Sequence, residues 1–151
     1  MIRSAFLAAT LMLTSGVTAT ANGEEEPSAA DREAITQTAL NFEEGWYTAD
    51  ADRMALALHP QFLMRHVGVD ERTHASVLTQ NINASELIEL TRSGKGKVPA
   101  ERQRHDVTVL DVFNNAATAK IIAWYGVDYL QLVRWNGRWV IMSVVWGKNP
   151  E

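Results

Sequence analysis

The chain has 151 residues, of which 46% are hydrophobic, with a formal net charge of −4 and no cysteine. That length suits one domain with a sizeable core. The acidic balance offers no general attraction for nucleic acid, and the lack of cysteine excludes disulfides, thiolate metal sites and a cysteine nucleophile.

The first segment, "MIRSAFLAATLMLTSGVTATA", has one early cation, Arg3, an apolar run from Ala5 to Leu13, and small residues ending in Ala19-Thr20-Ala21. This is the pattern of a secretory signal peptide. The run is shorter than the roughly 20 residues that span a bilayer, so no membrane span is expected. The reading is cleavage after Ala21 and export to the periplasm or the medium. A flexible lead-in over 22–30 and a single domain over 31–148 then follow.

Ser28 with Asp31 matches a capping box, and Ile35, Ala39, Phe42 and Trp46 recur at helical spacing, so a first helix is predicted from about Ala29 to Tyr47. Glu43 and Glu44 fall off that stripe and read as exposed charges. Asp50 can cap a short second helix, Ala51 to Leu58, which ends at His59-Pro60 because proline disfavours helix before it. "QFLMRHVGV" alternates as a strand, with Phe62, Met64 and His66 on one face. A further short strand is placed around Arg72 to Leu78. Asn83 and Glu86 form the next capping box, opening a third helix that Gly94 ends.

Arg92 to Arg104 is a loop with five cations and one anion, which could meet an anionic ligand or an acidic partner, though its default reading is a solvated face. Four strands close the chain, at about His105 to Phe113, Ala116 to Trp124, Val127 to Trp135 and Arg138 to Trp146. Asn114-Asn115 and Asn136-Gly137 supply two-residue hairpin turns. Along the third of these strands Val127, Tyr129, Gln131 and Val133 are read as the inner face. Asp128, Leu130, Leu132 and Arg134 are read as the outer one. Exposed leucines there would want cover, which predicts a homodimer through the outer sheet face.

These elements define an α+β fold: a curved, cone-shaped antiparallel sheet of four C-terminal strands plus one or two N-terminal strands, covered by three helices. Three segments carry a resemblance: "FEEGWYTADADRMALALHPQFLMR", "VTVLDVFNNAATAK" and "DYLQLVRWNGRWVIMSVVW". The chain resembles the nuclear transport factor 2-like superfamily, within it most nearly the bacterial putative lumazine-binding family. The resemblance implies a cone with one open end that holds a small molecule. In isomerase-like relatives two oxyanion donors and a proton-moving acid line that cone, and their positions fall on Phe42, Tyr129 and His66. Phe42 has no hydroxyl, which argues against the isomerase mechanism.

The candidate ligand-binding residues are accordingly Phe42, Trp46, Met64, His66, Tyr129, Gln131 and Trp146. His66 and Tyr129 are the candidate catalytic pair, as general base and hydrogen-bond donor. Each has a bland counterpart: a packed histidine, a wall tyrosine, two tryptophans filling a core. The four histidines show no metal-like spacing, so neither metal nor cofactor is expected. The leading reading is an exported, dimeric domain that binds a small, flat, partly apolar molecule. An enzyme using His66 and Tyr129, and a scaffold with a filled cone, are the alternatives.

Overall fold

A computed structural model describes residues 28–149. Helices α1 (Ala29–Thr48) and α2 (Ala51–Ala57) precede strands β1 (Leu58–Val69) and β2 (Ser76–Asn83). Helix α3 (Ala84–Arg92) and a 3-10 turn (Ala100–Arg102) follow, and then β3 (His105–Phe113), β4 (Ala116–Ala123), β5 (Gly126–Trp135) and β6 (Arg138–Lys148). The signal-peptide reading lies outside the described residues. No helix among those described is long and apolar enough to cross a membrane.

The three predicted caps are formed. The Ser28 hydroxyl, the Asp50 carboxylate and the Asn83 amide oxygen each accept a backbone N–H three residues on, from Asp31, Arg53 and Glu86. Asp31 also ties α1 to the sheet: its Oδ1 accepts the Trp139 indole N–H at 3.1 Å and pairs with Arg134. Between α1 and α2, Ala49 takes the left-handed conformation, and its N–H returns to the Gly45 carbonyl.

The six strands form one sheet in the order β2-β1-β6-β5-β4-β3. Neighbours are antiparallel except β1 and β6, which run parallel, so the sheet is mixed where an antiparallel one was expected. The parallel pairing skips from Leu58 to Leu63. Pro60 lies in that gap and has no N–H to give a ladder. Helix α1 packs on β3, β4 and β6, and α3 on β1 and β2. The core between them includes Ile35, Phe42, Phe62, Ile121, Leu130, Leu132, Ile141 and Val144.

Two local expectations are corrected. The second strand starts at Ser76, not Arg72, because Asp70 builds a turn first. Its Oδ1 accepts the N–H groups of Arg72 and Thr73 and the Thr73 hydroxyl, and His74 closes the turn at φ 55°. The larger correction concerns β5, whose faces are the reverse of those predicted. Asp128, Leu130 and Leu132 are buried, whereas Tyr129 is 47% exposed and Gln131 lies on the surface. Two leucines outweigh one aspartate in choosing the core face, provided the aspartate finds partners inside. The leucines invoked for a dimer face are therefore core. The outer face instead presents Val127, Tyr129, Val145 and Leu110.

Candidate ligand-binding site

A cavity of about 280 Å³ opens between the C-terminal half of α1, α3 and the end of the sheet. Phe42 and Trp46 come from α1, one turn apart on the face that the 3.6-residue period turns inward. Met64 on β1, Gln80 and Ile82 on β2, and Trp146 on β6 form the sheet wall, and Leu87 and Leu90 of α3 face them. Trp124 and Tyr125, at the β4–β5 turn, and Lys95 to Val98 complete the ring. The exposed members of the lining, Lys95, Lys97 and Trp124, mark the mouth.

The aromatic wall is locked by its neighbours. Trp146 donates its indole N–H to Gln80 Oε1 at 2.8 Å, stacks on His66 with ring centres 4.3 Å apart, and meets Tyr125 edge-on at 5.5 Å. His66 pairs with Gln80 on one side and Trp146 on the other, so the three side chains form a row across the sheet. The His66 Nδ1 lies 2.5 Å from the Thr79 hydroxyl. His66 thus supports Trp146 and does not line the cavity itself.

Behind Tyr125 is a buried acid pair that the sequence reading missed. The Tyr125 hydroxyl donates to Asp128 Oδ2 at 2.5 Å and lies 3.3 Å from Glu43 Oε2. Glu43 and Asp128 are both fully buried and meet at the Tyr125 hydroxyl. Burial, and then the Asp128 charge, push the Glu43 carboxyl up to about 8; burial raises Asp128 to about 6. Burial therefore favours a proton held on this pair, and the Tyr125 hydroxyl donates to its Asp128 oxygen. Burial and these carboxylates also raise the Tyr125 phenol, keeping it a donor. Tyr47, one turn beyond Glu43, donates to the Arg104 carbonyl and accepts the Trp124 N–H, so it anchors the cavity rim.

Of the predicted ligand residues, Phe42, Trp46, Met64 and Trp146 meet around this cavity, and His66 stands behind Trp146. Tyr129 and Gln131 point to the opposite side of the sheet, where Gln131 accepts the Ser143 hydroxyl at 3.0 Å. The proposed catalytic pair is therefore split between the two faces. Glu43 is corrected from an exposed charge to a buried one, and Glu44 is half-buried in an ion pair with Arg53. One signal for Glu43 was present: it lies four residues after Ala39 and four before Tyr47, both buried.

A second hollow, about 370 Å³, lies beside His59, Pro60, Trp135 and Arg138. Its walls include the exposed Ala55, Pro60, Trp135, Asn136 and Arg138. Among the described residues no cluster of histidines and acids could hold a metal ion.

A curved sheet closed by one long helix over an aromatic cavity defines a nuclear transport factor 2-like domain. Residues 30–147 match the family described as "Putative lumazine-binding", and the chain belongs to it. Solved structures agree on the fold. A protein of unknown function from Methylobacillus flagellatus is 18% identical with a TM-score of 0.64, covering 83% of this chain and 97% of that one. Another, from Shewanella baltica, is 19% identical with a TM-score of 0.58, covering 79% and 94%. A structure from Novosphingobium aromaticivorans, titled a putative aromatic ring hydroxylase, is 9% identical with a TM-score of 0.52, covering 82% and 92%. No curated protein matches the chain.

Proposed function

We propose that the protein is an exported small-molecule-binding domain whose cavity takes a flat, largely apolar ring system. The observation that carries this reading is the aromatic lining: Trp46, Trp124, Tyr125 and Trp146 surround one hollow with few polar groups. Aromatic walls stack on flat ligands, and a concave apolar site with a few fixed polar groups is the usual form of a small-molecule site. The family's description, which names a flat bicyclic heterocycle, is consistent with this. The leader pattern supports export. Tyr129, Val145 and Leu110 support pairing of two copies through the outer sheet face, since exposed apolar groups gathered on one surface favour cover.

Native mass spectrometry of protein purified from its own cell envelope tests all three parts. The expected spectrum shows a dimer of chains beginning at Asn22, carrying a small-molecule adduct that an Ile82→Trp variant, with its cavity filled, has lost. Adduct-free protein would contradict binding, a monomer would contradict pairing, and an intact leader would contradict export.

A further inference from the structure

We infer that the ligand of this cavity is an anionic aromatic compound, its ring system inside and its acidic group at the mouth between Lys95 and Lys97. The inference rests on the binding reading above and adds the charge and orientation of what is bound.

Three observations carry it. First, the two cations are held at the mouth by the backbone. Gly96 between them is buried flat against the Trp46 indole, and a Cβ at that position would sit 2.1 Å from the ring. Gly94 turns the chain at φ +77°, Lys97 N–H bonds to the Gly94 carbonyl at 3.1 Å, and Val98 N–H to the Tyr47 carbonyl at 3.3 Å. The Lys-Gly-Lys backbone is thus fixed against the indole, and both lysines line the cavity. Among the described residues neither lysine has an ion-pair partner, while neighbouring Arg92 and Arg104 pair with Glu89 and Asp106.

Second, among the described residues the interior offers an acidic group no cation. Phe42, Met54, Met64, Ile82 and Leu87 line it, and an acidic group driven inward would lose its hydration uncompensated, so it stays outside. Third, a cationic ligand would have to pass Lys95 and Lys97 to enter. On a chain of net charge −4, a positive mouth is a local exception that selects by sign.

The test compares 2-naphthoate with its neutral isostere 2-naphthamide, followed by quenching of the cavity tryptophans in the intact protein at low and high salt. The naphthoate is expected to bind about three- to tenfold more tightly at low salt, the range two exposed charge pairs supply, with the advantage shrinking as salt rises. A doubly substituted Lys95→Gln, Lys97→Gln variant should bind both probes like the neutral one. Both substitutions are on the surface, and an unchanged circular dichroism spectrum checks the fold. Equal affinity of the wild type for the two probes would overturn the charge assignment and leave the cavity reading standing. Quenching by neither would remove both.

Discussion

At the scale of single residues, Glu43 and Asp128 set the chemistry of the interior. A carboxyl whose pKa is higher in the folded chain than in the unfolded one holds its proton more tightly when native. Its contribution to stability is complete below the unfolded value and is lost as pH rises through the folded one. For Glu43 that window runs from 4.5 to about 8, and for Asp128 from 3.8 to about 6. Asp31 and Asp70 are lowered by their hydrogen bonds, so they act in the opposite sense and only at more acid pH. The melting temperature should therefore fall by roughly 5–10 °C between pH 5 and pH 8.5. Glu43→Gln, which keeps the shape without the titration, should flatten the profile. A wild-type melting temperature that rose across that interval would refute the assignment.

At the scale of elements, the decisive feature is which side of β5 faces α1. The sequence offers two alternating sets, and the resemblance, which puts an oxyanion donor at Tyr129, favours Val127, Tyr129, Gln131 and Val133 as the inner one. The two charges of the other set are in fact accommodated. Asp128 is met by Tyr125 and Glu43, and Arg134, near the strand's end, reaches Asp31 and lies over the Trp139 ring at 4.9 Å. Glu43 is 85 positions from Asp128 in sequence, so no local window contains both partners. By contrast, Phe42, Trp46 and Met64 were legible because helical and strand periods fix their direction whatever lies opposite. The fold was legible for the same reason, through caps, turns and periods. The acid pair was not, because its burial depends on a contact that only the assembled sheet creates. Thermal or denaturant unfolding of protein dilute enough to be monomeric checks the face. Leu130→Ala should cost about 2–5 kcal/mol, and Tyr129→Ala less than about 1 kcal/mol. The reverse ranking would turn the strand over.

For the whole molecule, topology explains why a hollow exists. The sheet curves, and α1 covers its concave side across β3, β4 and β6, while α3 closes over β1 and β2. The apolar side chains of the two layers meet fully towards the N-terminal half of α1, where Ile35 and Ala39 are completely buried. At the other end the layers part, and Trp46, Trp124 and Trp146 line the gap. Trp135 and Trp139 lie elsewhere, the former on the second hollow and the latter in the core beside Asp31. The five indoles therefore divide into three that report on the cavity and two that do not. Two-dimensional NMR of the five indole N–H resonances during titration with 2-naphthoate reads that division directly. The cavity assignment predicts ring-current shifts at Trp46, Trp124 and Trp146 with Trp135 and Trp139 unmoved. Shifts centred on Trp135, or no shift at the other three, would contradict it.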